Sequence, residues 1–236
     1  MQSDKLTLIL ASGSPRRKEL LGWLDIPFII YSADIDENSE HDHPMAICKD
    51  VAQQKGLAVV EQVKKHSLFL KGFNPLIVSA DTIVTLGNTI FGKPKDVVQA
   101  SEMLMSLSNK THRVITAVYL AMIDSRGHFR QHTFACETDV TFSAIPMDIL
   151  SNYLASGDSL DKAGAYGIQG KGLTFISSVL GSYSNVVGFP LSHFVQELKL
   201  FLGAENDVTD AWRKQFSYDL HTVELELKKM REVYRA

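Results

Sequence analysis

Apolar and polar positions along the chain lay out most of its elements. An apolar run at residues 6–10 (LTLIL) reads as a buried strand, and small polar residues then turn it into a helix running towards Leu24. Ser14 suits the N-cap, and Pro15 loses no hydrogen bond at the first helical position. Residues 26–31 (IPFIIY) predict a second buried strand, followed by a polar, acidic loop at 34–43 (DIDENSEHDH). From Pro44 to Lys65, Ile47, Val51, Ala58 and Val59 recur at helical spacing. Residues 76–80 (LIVSA) read as a strand ending at Asp81; 82–86 continue the extended pattern, and Gly87-Asn88 marks a turn before 89–91. Asp96 can cap a helix reaching about Leu107, with Ala100, Met103, Leu104 and Leu107 inward.

The second half opens with two long strands, 114–123 and 129–142, whose short connection at 124–127 makes them antiparallel. Thr138, Val140 and Phe142 share one face of the second. A short helix at 146–155 is stopped by Gly157. Residues 160–172 (LDKAGAYGIQGKG) hold too many glycines for a regular element. Such density suggests backbone packed closely against a ligand or another strand, and Tyr166 and Ile168 argue for an ordered loop. Residues 174–180 and 184–187 read as strands around a turn. An amphipathic helix follows at 190–202, with Leu191, Phe194, Val195, Leu198 and Phe201 inward. The charged stretch 207–236 carries Trp212, Phe216, Leu220, Val223, Leu227, Met230 and Tyr234 at helical spacing, which predicts a helix packed on the body or on a partner chain.

Composition narrows the function classes. The 236 residues make one large domain or two small ones, with 45% hydrophobic and 22% charged residues, as in ordinary soluble proteins. A net charge of −3 argues against general attraction to nucleic acid or membrane, so any phosphate site must be local. Cys48 and Cys136 have neither a disulfide framework nor metal-ligand spacing. No apolar run approaches membrane-spanning length, and the first residues lack a signal-peptide pattern. The expectation is a cytoplasmic protein.

Four places carry candidate chemistry. Arg16 and Arg17 add positive charge to a helix N-terminus that is already partly positive, which makes sense if an anion sits in front of them. Gly13 lets the backbone come close; the alternative is an ordinary turn with surface arginines. The acidic loop offers oxygen ligands for Mg²⁺ beside such a site, or is merely solvated. Lys55 falls within the inward stripe of its helix, where the pattern favours snorkelling outward over facing an anion-holding cleft. Asp81, ending an apolar strand, suits a catalytic or metal-binding acid, and equally a turn-forming aspartate.

Four stretches in this order and at these separations settle on one family: Ser12-Gly13-Ser14-Pro15-Arg16-Arg17, Ser79-Ala80-Asp81-Thr82, Gly92-Lys93-Pro94 and residues 162–170 (KAGAYGIQG). Together they resemble the Maf family of nucleoside triphosphate pyrophosphatases, over about Leu6 to Leu202. The resemblance implies an α/β fold related to the inosine-triphosphate pyrophosphatases (Ham1-like), a mixed twisted sheet with surrounding helices and a deep cleft between two lobes. The corresponding domain is 1–203, with 204–236 a C-terminal helical extension that has no family counterpart.

The resemblance also implies metal-dependent hydrolysis, with Mg²⁺ or Mn²⁺, that releases a nucleoside monophosphate and pyrophosphate, usually by a homodimer. Arg16, Thr82 and Gln169 match the trio marking the branch that acts on dTTP and UTP. Asp81 matches the acid assigned as proton acceptor. Ser12, Arg16, Arg17, Lys55 and Lys93 match polar and basic cleft positions, and Glu37 an acid that assists the metal; on chemical grounds Asp81 is either the base or, with Glu37, a metal ligand. One departure is Gly56, where alanine is usual; it should weaken its helix by roughly 1 kcal/mol.

These residues supply what cleavage between α- and β-phosphates needs. Ser14 and the Arg16–Arg17 turn can hold phosphates, and Lys55 and Lys93 can add positive charge. On a uracil or thymine, the Gln169 side-chain carbonyl can accept from N3–H while its NH₂ donates to O4, a pattern that mismatches cytosine. Two other readings remain at this point: a house-cleaning enzyme for modified pyrimidine nucleotides, and a nucleotide-binding regulator of cell division or septum formation. The regulator would need the phosphate-holding residues but not Asp81.

Overall fold

The computed structural model describes residues 5–65, 74–124, 127–217 and 220–234. Seven strands form one mixed sheet in the order β2-β1-β3-β5-β6-β7, with β4 paired to β3 alone. The strands are β1 (Leu6–Leu10), β2 (Phe28–Ile30), β3 (Asn74–Leu86), β4 (Thr89–Phe91), β5 (Thr111–Ile123), β6 (Phe129–Phe142) and β7 (Ile176–Leu180). β1 runs parallel to β2 and β3, whereas β3, β5, β6 and β7 are antiparallel in turn. The helices are α1 (Pro15–Gly22), α2 (Pro44–Lys65), α3 (Val97–Leu107), α4 (Met147–Ala155), α5 (Tyr183–Val187), α6 (Leu191–Phe201) and α7 (His221–Tyr234). Among the described residues no helix is long and apolar enough to cross a membrane.

Every residue of β1 is buried, because both sheet faces are covered. Successive side chains point to opposite faces. Leu8 and Leu10 therefore pack with Phe194 and Leu198 of α6, while Ile9 packs with Val59 and Val60 of α2. A third cluster joins Leu104 of α3 and Leu150 of α4 to Val84, Phe142, Tyr166 and Phe175 at the far end of the sheet. The predicted α2 and the Asp96 cap are found as expected, Asp96 accepting from the Gln99 amide at 2.8 Å. Two residues of the predicted 124–127 connection, Ser125 and Arg126, lie outside the described residues.

The sequence reading is corrected in five places. First, Asp81 does not end a strand: β3 runs unbroken for 13 residues. Second, residues 184–187 are helical. The Ser182 hydroxyl caps α5 by accepting from the Asn185 amide, and Gly188 closes it in the left-handed region, so the cap signals outweigh the Val186-Val187 pair. Third, Thr174 and Phe175 belong to a short 3₁₀ segment, Gly170–Phe175, that precedes β7.

Fourth, the C-terminal stretch is not one helix. A 3₁₀ turn at Ala211–Gln215 is followed by a bridge from Phe216 to Leu6, and only then by α7. The Asp207 carboxylate draws the chain into a local turn by accepting from the Thr209 and Trp212 amides. The break sends Trp212 and Phe216 to one face of the sheet edge and Leu227 and Met230 to the other, which one straight helix could not do. The stripe does pack on the body; the Tyr234 side chain lies outside the described residues.

Fifth, Gly56 is no defect of α2. A Cβ there would fall on the Tyr119 ring and 2.6 Å from Ser79 Oγ. The helix approaches the sheet where Tyr119, fully buried, fills the space that a larger residue would take.

Candidate active site

A cleft of about 820 Å³ opens where β3 loses its neighbour. On one edge, β1 pairs with β3 only as far as Val78, and β4 takes over only at Val84. Between them Ser79–Ile83 has no partner strand on that side among the described residues. Asp81 and Thr82 sit in this gap. The β1–α1 turn, the β2–α2 loop, the β4–α3 loop and the glycine-rich segment 161–169 close around it. All ten site residues expected from the sequence, Ser12, Ser14, Arg16, Arg17, Glu37, Lys55, Asp81, Thr82, Lys93 and Gln169, line this one cleft.

Lys55 is at its centre. Its ammonium lies 2.7 Å from Asp81 Oδ1 and 2.9 Å from Glu37 Oε2, so it faces the cleft instead of snorkelling out along α2. The Asp81 side chain is 12% exposed and that of Glu37 53%. Asp81 lines the cleft, and its Oδ2 makes no hydrogen bond among the described residues.

The two arginines play different parts. Arg16 crosses the cleft mouth, donating from Nη1 to Asp161 Oδ2 at 2.9 Å. Burial pushes the Asp161 carboxyl up, but hydrogen bonds from Lys162 and Arg16 outweigh it and hold the group below its usual range. Arg17 turns inward and donates to the Gly188 carbonyl, Ser12 Oγ and Thr82 Oγ1 at 2.9, 3.1 and 3.1 Å. Burial lowers its pKa, with the Asp81 charge opposing. Ser14 stands at the N-cap position without a side-chain cap bond, so its hydroxyl is left to the cleft. The first-turn amides of Arg16 and Arg17 have no intrahelical partner either. Lys93 is exposed, with no ion pair among the described residues.

The segment carrying Gln169 is ordered by its own backbone. A Cβ on Gly172 would collide with the Gly167 carbonyl, so the expected close approach is of the loop to itself. Gln169 is half-buried, and its amide makes no hydrogen bond among the described residues. Tyr166, also on the cleft wall, is held from behind by His112, whose Nε2 lies 2.8 Å from the tyrosine oxygen. Burial pushes the buried Cys48 thiol up to about 12, so it supplies no nucleophile.

Sequence reasoning missed Asp161, Thr116, Asn185 and Gly188. Asp161 adjoins a recognised motif and was legible as charge beside glycine-rich sequence. The others act through backbone carbonyls or buried hydroxyls, which leave no pattern in sequence.

The cleft wall carries Arg16, Arg17, Lys55, Lys93 and Lys162 against Asp34, Glu37, Asp81 and Asp161. Five cations nearly balanced by four carboxylates would attract a polyphosphate weakly without a further cation. Glu37 and Asp81 converge on one ammonium, so they could also converge on a metal ion. Among the described residues no cluster of three or more His, Cys, Asp or Glu forms a protein-only cage. The donor set fits Mg²⁺ or Mn²⁺, which take one or two carboxylates and complete their shell with phosphate oxygens and water.

The family model described as Maf-like protein matches residues 7–201. A dTTP/UTP pyrophosphatase of Bacillus mycoides (strain KBAB4) is 44% identical over 205 residues, covering 86% of this chain and 98% of that protein. A dTTP/UTP pyrophosphatase of Agathobacter rectalis is 39% identical over 196 residues, covering 81% and 96%. Among solved structures, a HAM1 protein from Coxiella burnetii is similar with a TM-score of 0.41 and 15% identity, covering 84% of this chain and 98% of that one.

Proposed function

This chain belongs to the Maf family, and from that membership we propose that its cleft binds dTTP or UTP and hydrolyses it to the nucleoside monophosphate and pyrophosphate. The observation that carries the reading is the joint hold of Lys55 on Asp81 and Glu37, in the gap of β3 that faces the arginine-bearing turn. The names of the similar proteins, dTTP/UTP pyrophosphatases, support the substrate class.

Arg16, Lys93 and the free amides of the α1 turn bind the phosphate chain. Arg17 adds a fixed positive charge from the cleft floor. Asp81 Oδ2 takes a proton from the water that attacks the α-phosphorus, while the bond to the bridging oxygen breaks and pyrophosphate leaves. Lys55 holds the other oxygen of that carboxylate and so fixes its direction. Glu37 and Asp81 would hold Mg²⁺ or Mn²⁺, which supplies the positive charge that the nearly balanced cleft lacks. Gln169, whose side-chain amide has no partner among the described residues, reads the base edge.

On the same reading, residues 1–203 are the catalytic unit and 204–236 an extension that covers the β1–β2 edge. Both cysteines are free, which agrees with a cytoplasmic enzyme. The family resemblance supports a homodimer, and modified pyrimidine triphosphates are further candidate substrates. A non-catalytic regulator gains no support from a cleft that holds its carboxylate so deliberately.

The test is a panel of nucleoside triphosphates, modified pyrimidines included, with Mg²⁺, with Mn²⁺ and with a chelator, measuring pyrophosphate against phosphate. Pyrophosphate release from UTP and dTTP, lost on chelation, is expected. Release of phosphate alone, or no turnover of any triphosphate, would overturn the reading.

A further inference from the structure

We propose that Thr82 acts on the nucleotide site through Arg17, as the middle of a one-way hydrogen-bond chain ending on the Asn185 carbonyl, and that Thr116 is thereby a positioning residue for the site. The proposal deepens the function proposed above and rests on it for its catalytic consequences, though not for the chain itself.

Proton bookkeeping fixes the chain's direction. Thr116 Oγ1 lies 3.0 Å from the Asn185 carbonyl oxygen, which can only accept, so the one hydroxyl proton of Thr116 goes there. Thr82 Oγ1 and Thr116 Oγ1 are 3.0 Å apart, and with the Thr116 proton spent, Thr82 must donate. The Thr82 oxygen in turn accepts from Arg17 Nη2 at 3.1 Å, since a guanidinium has no acceptor. The order is Arg17 to Thr82 to Thr116 to Asn185. The other acceptor in reach of Thr82, the Gly188 carbonyl, is 3.5 Å away and already takes Arg17 Nε at 2.9 Å. Thr82 therefore has no proton left for a nucleotide. The resemblance ties Thr82 to substrate choice, and this geometry routes that influence through the arginine.

The far end of the chain is rigid. Asn185 is fully buried, and its Nδ2 donates to the Val114 carbonyl and to Thr138 Oγ1, both at 3.0 Å. Its carbonyl is thus fixed relative to β5 and β6. Thr82 and Thr116 are a register pair on β3 and β5, and β-branching restricts both to few rotamers. Three of the five Arg17 donors are bound, all to neutral oxygens, and among the described residues no carboxylate reaches it at ion-pair distance. Arg17 is then an oriented cation with its charge uncancelled and two N–H groups to spare. Arg16, by contrast, is already paired with Asp161. Holding such a group before the ligand arrives moves the ordering cost from binding into folding.

The test uses the full chain labelled with ¹⁵N-arginine, comparing Thr116→Val, Thr116→Ser and Thr82→Val with the unaltered protein. Two properties are read: hydrogen exchange of the Arg17 side-chain N–H without nucleotide, and kcat and KM for UTP. In the unaltered protein the Arg17 Nη2–H that meets Thr82 should exchange slowly. Thr116→Val should speed that exchange and raise KM by about tenfold each, the scale of one hydrogen bond to a charged group, with a smaller change in kcat. Thr116→Ser should restore both, and Thr82→Val combined with Thr116→Val should be no worse than Thr82→Val alone. Impaired Thr82→Val beside a wild-type-like Thr116→Val would overturn the proposal, because Thr82 would then touch the nucleotide itself. Should Thr116→Val fail to fold, unprotected Arg17 N–H in the unaltered protein would overturn it equally. Absence of UTP turnover in that protein would sink the function reading, while the exchange data would still decide the chain.

Discussion

The Lys55 ammonium lies 2.7 Å from Asp81 Oδ1, while Oδ2 of the same carboxylate makes no hydrogen bond among the described residues. One oxygen is anchored and the other is unengaged. Lys55 lies on a helix and Asp81 on the central strand, so rigid elements set the direction of the carboxylate, which the chemistry needs.

Asp81→Asn keeps the size of the side chain and removes its negative charge and nearly all its basicity. UTP turnover should fall at least ~10²-fold, the lower range for a proton-transferring group. UTP affinity should largely survive, because the arginines, Lys93 and the α1 amides still face the phosphates. Hydrolysis and binding measured on one preparation decide the matter. Wild-type-like pyrophosphate release by the Asn variant would move the role of base to Glu37.

Arg16→Ala and Arg17→Ala should separate cleanly. Arg16 spans the cleft mouth to an exposed acid, so its loss should raise KM and leave the melting temperature nearly unchanged, as for other exposed pairs. Arg17 is stitched into Ser12, Thr82 and Gly188. Its loss should lower both activity and melting temperature, because partly buried oxygens lose their donor. Equal melting temperatures for the two variants would show that the inward bonds of Arg17 add no stability.

Gly56→Ala should destabilise the protein, although alanine is the better helix former. The new Cβ falls on the Tyr119 ring, and overpacking of this kind costs about 1–3 kcal/mol, which at this close approach outweighs the roughly 1 kcal/mol gained in propensity. Thermal melting checks the sign, and Tyr119→Leu added to Gly56→Ala should recover part of the loss. A rise in melting temperature for Gly56→Ala alone would mean that Tyr119 moves aside freely.

Ending the chain after Gly203 should lower the melting temperature. Trp212, Phe216, Leu227 and Met230 are all buried against the sheet edge, and each contributes on the order of 1.5–3 kcal/mol. Arg213 and Arg231 also donate to the Leu24 and Ile30 carbonyls. A truncated chain that melts as the full one does would show that the extension only rests on the body.

Much of the fold was legible because its elements are regular. The bounds of α2 and the Asp96 cap follow from period and end signals, and the long antiparallel pair from two apolar runs joined by a short turn. The break at Phe216 was not legible. It depends on the Asp207 turn and on two sheet faces that must both be covered, and helical spacing cannot see either. The site divides in the same way. Asp81 and the arginines stand out as charge in apolar or positively polarised settings. The direction of Lys55 was misjudged because its partners, Glu37 and Asp81, lie 18 and 26 positions away in sequence. Thr116 and Asn185 were invisible, since a threonine in a strand and an asparagine before two valines are ordinary until the strands are paired.

His112 gives the protein a defined acid sensitivity. Burial lowers its pKa from 6.5 to about 4, with the Asp139 charge opposing, and its buried Nδ1 has no hydrogen-bond partner among the described residues. The folded state thus keeps the ring neutral, while the unfolded chain takes up a proton below about pH 6.5. Above that pH both states are neutral and the contribution is constant. Between about 6.5 and 4 the unfolded state binds more protons, so stability falls as pH falls. Below about 4 the ring charges in both states and this loss levels off. His112→Gln removes the titration and leaves an amide that can still meet the Tyr166 hydroxyl. Its melting temperature should fall less steeply over that pH window than that of the unaltered protein, whatever the offset at neutral pH. Parallel curves for the two proteins between pH 6.5 and 4 would show that His112 titrates alike in both states and that the acid sensitivity lies with the carboxylates.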